Sequence, residues 1–238
     1  MSIYKFIFFL FLRTFTYGIG FFITVIIFFL SGSDNSLIKA SPWWPVYGLL
    51  ANFLCFIILT KQFKSEKLTL WSLINYRPEK IKKDLITGLF FIFLSIIIAT
   101  SSSIGFGYLL YDRFPNELML SFKEIPTLVI ILIVLIFPLI NSVLEEVTYN
   151  GYIYPRLELR LKNIALTVII VLLFFTIQHI FITFKPDLKY MIWRLLSFVP
   201  LLFFWIMIFV KMRRLTTLIL VHWFMDTFAI FSILLGTE

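Results

Sequence analysis

The chain has 238 residues, of which 61% are hydrophobic, 19% aromatic and only 14% charged, with a formal net charge of +8. Soluble domains carry about a quarter of their residues as charges, so this composition excludes an ordinary water-soluble globule. Apolar stretches of about 20 residues match the length a helix needs to cross roughly 30 Å of hydrocarbon, and the short alternating segments of a barrel are missing; the expectation is an all-α, polytopic transmembrane helical bundle.

Seven spans are predicted, over 6–30, 43–60, 85–110, 126–155, 164–184, 191–210 and 214–235. The short connections between them predict one integral membrane domain over 1–238. The first span is too long and lacks the small-residue cleavage site of a signal peptide. Arg13 falls within it, and its long stem predicts a side chain that snorkels to the headgroups. Trp43 and Trp44, flanked by Pro42 and Pro45 at the start of the second span, read as interfacial anchors. In the third span SSSIGFG, residues 101–107, offers small residues for close helix contact. Pro138 lies within the fourth span, where a kink is expected. The lone cysteine, Cys55, has no disulfide partner in the chain and reads as a packing residue.

Orientation follows from the loop charges. Lys61, Lys64, Lys67, Arg77, Lys80, Lys82 and Lys83 follow the second span. Arg156, Arg160 and Lys162 follow the fourth, and Lys211, Arg213 and Arg214 the sixth, so these loops share one side. The other loops carry Lys39, Arg113, Lys123, Lys185, Lys189 and Arg194, partly balanced by acids. The positive-inside rule then places the N-terminus in the cytoplasm. The basic residues flank spans and form no nucleic-acid-binding module, so the lipid bilayer is the expected partner and nucleic acid is not. A bias towards Ile, Phe and Lys suggests an AT-rich bacterial genome and hence a bacterial cytoplasmic membrane.

Ionisable side chains at membrane depth are costly, which makes each a candidate for function. Five stand out: Glu145 and Glu146 in the fourth span, His179 in the fifth, and His222 and Asp226 in the seventh. The chain has only two histidines, and both are in this set. For any one of them alone, a helix-joining hydrogen bond is a sufficient explanation. His222 and Asp226 are four apart and share a helix face, whereas Glu145 and Glu146 lie about 100° apart around theirs. One glutamate is therefore expected to face a site and the other to support the helix, with Asn150, four residues after Glu146, as its partner. A straight-helix count places Glu145 roughly 16 to 22 Å from the cytoplasmic end of its span, but His179 about 25 Å from Lys162, somewhat deeper.

Taken in order on successive spans, the two glutamates followed by Asn150, then Phe175 and His179 as FxxxH, then His222 and Asp226 as HxxxD, resemble the CPBP or Abi family of intramembrane glutamic endopeptidases. That family includes the CAAX prenyl endopeptidases. The resemblance covers about 126–235 and extends to the NGYIYPRLELRL that contains Asn150. It implies a metal-independent protease without cofactor, in which Glu145 and His179 activate a water and His222 with Asp226 sits where the oxyanion develops. A carboxylate in a low-dielectric site can take up a proton near neutrality, and an imidazole can donate to an oxyanion. Glu146, Asn150 and Phe175 would support these groups.

The family's first motif normally reads EExxxR, and here Asn150 stands at the arginine position. Three readings therefore stay open. One is a protease acting on a membrane-associated peptide or protein, with peptide maturation or bacteriocin self-immunity as the bacterial role the resemblance implies. Another is a catalytically silent scaffold that regulates a membrane partner. The last is a metal-dependent enzyme, since Glu, His and Asp are all possible zinc ligands, though no HExxH is present.

Overall fold

The computed structural model describes residues 3–113, 122 and 125–235, and the expected loop charge Lys123 lies outside them. Among the described residues seven helical segments are long and apolar enough to cross a membrane, and there is no strand. In lipid each backbone N–H and C=O needs a partner within the chain, which a helix supplies by itself. The apolar runs therefore fold as α1 (Ile3–Leu30), α2 (Ser36–Ala40), α3 (Trp44–Ser65), α4 (Leu70–Ile74), α5 (Ile81–Tyr111), α6 (Thr127–Glu146), α7 (Tyr154–Leu161), α8 (Ile164–Ile182), α9 (Leu188–Met212) and α10 (Thr216–Leu235). A π-helical segment, Val147–Ile153, joins α6 to α7.

Local chemistry sets several of these limits. Asn163 caps α8 by accepting the Leu166 N–H at 3.0 Å, and Asp187 caps α9 by accepting those of Lys189 and Tyr190. Side-chain oxygens at these positions satisfy amides that have no partner inside the helix. Pro45 and Pro155 fall in the first turns of α3 and α7, and Pro42 and Pro78 in the short 3-10 turns Ser41–Trp43 and Pro78–Lys80 that lead into α3 and α5, where a missing N–H costs nothing. Pro138 lies inside α6, which continues through it.

The helices pack with α1 against α3 and α8, α6 against α3 and α10, and α5 against α9 and α10. Lipid tails are as apolar as leucine, so close backbone approach and polar contacts hold such a bundle together. A Cβ on Gly20 would stand 2.7 Å from the Tyr47 carbonyl oxygen, and one on Gly48 would stand 2.7 Å from the Phe137 ring. Glycine at these two positions brings α1, α3 and α6 together. The small residues of α5 serve the same end: Ser102 Oγ donates to the Ser197 carbonyl at 2.8 Å, and the Trp193 indole donates to that of Ser103 at 3.0 Å. Many aromatic and aliphatic residues, among them Phe15, Phe22, Phe93 and Leu135, are exposed on the outside, as a lipid-facing surface requires.

The three basic loops lie together at one end. Glu158 pairs with Arg213 at 2.5 Å, Glu66 pairs with Arg156, and Asp84 receives both Arg214 terminal nitrogens at 2.6 and 2.7 Å. Burial alone would raise the Glu66 carboxyl, but hydrogen bonds from the Tyr152 hydroxyl and Arg156 outweigh it and hold the group below the usual range. The segment expected as a plain loop contains α4, whose Ile74 carbonyl accepts the Leu215 N–H at 3.1 Å.

Two expectations are corrected. Trp44 is buried and packs edge-on against Phe137, with centroids 5.2 Å apart, so it belongs to the interior and not to an interfacial belt. Arg13 does not snorkel, because its side chain is fully buried and its donors find oxygens on three other helices. Cys55 is buried, as a packing residue should be.

The α1–α3 contact leads to a test. Gly20→Val places a side chain against backbone that cannot rotate away, so the purified protein is expected to lose about 1–3 kcal/mol of stability, read as a lower midpoint of thermal unfolding in detergent. An unchanged midpoint would mean that α1 and α3 are not held this closely.

Candidate functional site

The last two residues of α6 are Glu145 and Glu146, and the π-helical segment begins immediately after them. Short π-helical segments inside longer helices are uncommon and often mark functional sites. Within it, Asn150 donates from Nδ2 to Glu146 Oε2 at 2.7 Å, the contact expected from the spacing. Glu146 Oε1 lies 3.0 Å from His222 Nδ1. Both oxygens of this fully buried carboxylate are therefore engaged.

Glu145 has a different environment. Its Oε1 accepts from Arg13 Nη2 at 2.9 Å, and both side chains are fully buried. Its Oε2 has no hydrogen-bond partner among the described residues and lies 3.6 Å from His222 Nε2. His222 thus stands between the two glutamates, with Nδ1 towards Glu146 and Nε2 towards Glu145. Although 100° apart on the helix, the adjacent carboxylates reach opposite edges of one imidazole ring. Asp226 Oδ2 lies 3.6 Å from the same Nε2 and accepts from Asn141 Nδ2 at 2.9 Å.

His179 is held by its own helix. Its Nδ1 lies 3.0 Å from the Phe175 carbonyl oxygen, which accepts when Nδ1 carries the proton and leaves Nε2 as the basic nitrogen. The ring stacks on Phe198 at 4.0 Å, and the Phe175 ring stacks on Tyr149 of the π-helical segment at 4.4 Å. No hydrogen bond joins His179 to Glu145 among the described contacts. Both nevertheless line a cavity of about 190 Å³, together with His222, Asp226, Asn141 and Arg194. The helix count placed His179 deeper than Glu145, yet the packing brings the two side chains to the same cavity.

Arg13, expected at the headgroups, joins this centre together with Tyr17, Asn52, Asn141 and Gln178, none of which the motifs contain. Arg13 donates from Nε to Gln178 Oε1 at 3.1 Å, from Nη1 to Asn52 Oδ1 at 2.8 Å and from Nη2 to Asn141 Oδ1 at 2.7 Å. Tyr17 donates its hydroxyl to the same Asn141 oxygen at 2.8 Å. Asn52, Asn141 and Gln178 were visible as amides inside apolar spans, and amides there need partners as carboxylates do. Among the described residues no cluster of three or more His, Cys, Asp or Glu side chains is arranged to hold a metal ion.

The carboxylates and imidazoles of this polytopic helical bundle thus gather around one cavity between the helices. Residues 127–228 match the model of the Rce1-like family, the type II CAAX prenyl endopeptidases. The resemblance seen in the motifs is borne out over that segment, and the family is one of proteases. No curated protein and no solved structure matches the chain. The matched segment contains Glu145, Glu146, Asn150, Phe175, His179, His222 and Asp226, whereas Arg13, Tyr17, Trp44 and Asn52 lie before it.

Asn150 provides a test of how the second glutamate is held. Asn150→Leu removes a donor from a buried carboxylate, and a loss of about 1–3 kcal/mol is expected in denaturant unfolding of the detergent-solubilised protein. Unchanged stability would mean that His222 alone satisfies Glu146.

Proposed function

We propose that this protein is an intramembrane endopeptidase that hydrolyses a peptide bond in a membrane-associated peptide or protein. Glu145 is the proton acceptor, His179 orients the attacking water, and His222 with Asp226 receives the developing oxyanion. The observation that carries this reading is Glu145 Oε2, which accepts no hydrogen bond among the described residues and shares one cavity with the His179 ring. Basic groups that face a common cavity without bonding each other leave room for a reactant between them.

In the reaction the water oxygen attacks the carbonyl carbon while its proton passes to Glu145 Oε2. His222, when its Nε2 carries a proton, donates to the oxygen on which charge develops, with Glu146 at its other nitrogen and Asp226 beside it. The C–N bond then breaks, the proton held on Glu145 goes to the leaving nitrogen, and the products are a carboxylic acid and an amine. A metal cation at Glu145 would share its carboxylate with the Arg13 guanidinium 2.9 Å from Oε1 and be repelled by that charge, which favours chemistry by the chain's own groups.

The substrate class is a bacterial membrane-associated peptide, as in peptide maturation or bacteriocin self-immunity. The membrane is the bacterial cytoplasmic membrane, with the N-terminus inside. In the alternative, a silent scaffold for a membrane partner, Asn150 marks the loss of activity. Against it stands Glu146, whose two oxygens both have partners without the motif arginine.

Cleavage of a fluorogenic peptide library by the protein in nanodiscs separates the two readings. Glu145→Gln and His179→Ala are each expected to lower kcat by at least about 10²-fold, the usual contribution of a positioned acid or base. Wild-type rates in both variants would exclude this mechanism. A wild type that cleaves nothing, with both variants retaining function in cells, would establish the scaffold.

A further inference from the structure

We infer that Arg13, on the N-terminal helix and outside the segment that matches the family, is a positioning residue for the Glu145 and His179 pair. The inference rests on the protease reading above. An arginine buried in the first span of a membrane protein needs a reason, since removing its charge from water and headgroups is costly. Every group that Arg13 binds belongs to the polar centre.

Two features of the geometry point to positioning. The first concerns Glu145, where Nη2 occupies Oε1 at 2.9 Å and thereby makes Oε2 the oxygen left for proton transfer. A carboxylate with one oxygen fixed cannot rotate to exchange the two, so its basic lone pairs keep one direction. The second concerns the helices. The same guanidinium holds Asn52 of α3, Asn141 of α6 and Gln178 of α8, and Gln178 is the residue next to His179. One planar group thus ties the helix that carries Glu145 to the helix that carries His179. At the level of the cavity it is this group that links them, since no hydrogen bond joins Glu145 to His179 among the described residues, while the Tyr149 hydroxyl, which donates to the Phe174 carbonyl at 3.2 Å, ties the two helices one turn further on. Lysine would bring the charge but not the fork of donors in fixed directions.

Position 150 does not duplicate this role. Asn150 bonds Glu146, whereas Arg13 bonds Glu145. A charge restored at the motif position would therefore act on the wrong glutamate.

The test uses the full-length protein in nanodiscs with a peptide that the wild type cleaves, with rates normalised to the fraction that elutes as folded monodisperse protein. Arg13→Gln is expected to lower kcat by at least 30-fold with KM changed less than threefold. Arg13→Lys, which retains the charge that compensates Glu145, is expected to lower kcat at least fivefold. Asn150→Arg added to Arg13→Gln is expected to restore nothing. Wild-type kcat in Arg13→Lys would overturn the inference even if Arg13→Gln fails to fold, and so would recovery of kcat in the double variant. A proportional rise in KM at constant kcat would also overturn it, by assigning Arg13 to binding. If the wild type cleaves no peptide, the protease reading falls and this inference with it, whereas active Arg13 variants beside an active wild type would remove this inference alone.

Discussion

The ion pair between Arg13 and Glu145 is the interaction on which the rest of the interior depends. Both side chains are fully buried, and each would be an uncompensated charge without the other. Removing one member of a buried pair typically costs 3–5 kcal/mol, while forming the pair yields much less because both ions must first be desolvated. Such a pair is a poor device for stability alone. It persists here with every guanidinium nitrogen donating to a side-chain oxygen, which is the condition under which a buried charge is tolerated.

The apolar core is arranged around this polar layer. One group of buried side chains includes Leu12, Tyr149, Phe175 and Trp205, and a second includes Tyr17, Phe21, Trp44 and Phe137. Arg13 lies in sequence between Leu12 of the first and Tyr17 of the second. Asn141 and Glu145 likewise lie between Phe137 and Tyr149. The close approaches at Gly20 and Gly48 bring α3 near enough for Asn52 to reach the centre. Packing and chemistry are therefore coupled, since glycines with no part in any reaction set the distances at which the polar groups meet.

Much of this was legible in the sequence, for identifiable reasons. Span positions followed from hydropathy, because the bilayer leaves few alternatives to a helix. The partnership of Glu146 with Asn150 followed from a four-residue spacing, which fixes neighbours on a helix whatever surrounds it. Contacts between helices were not legible. Nothing local to Arg13 distinguishes a side chain that reaches outwards to headgroups from one that reaches inwards to a carboxylate 132 residues later. Trp44 was misread for the same reason, since a tryptophan near a span's end suits an interface until a partner such as Phe137 is known. His222 contacts both glutamates because the ring offers two nitrogens, which helical-wheel geometry for Glu145 and Glu146 could not express.

The family match begins at residue 127, yet the centre it contributes to is completed by α1 and α3. On this account the matched segment supplies the reacting groups, and the preceding helices fix their directions. The account stands or falls on direct hydrolysis by the chain's own side chains. The most direct measurement is single-turnover cleavage of a peptide by the purified protein in ¹⁸O-enriched water with a chelator present, with products read by mass spectrometry. The account predicts undiminished cleavage, with one ¹⁸O atom in the new C-terminal carboxylate. Loss of cleavage on chelation, restored by added zinc, would contradict it.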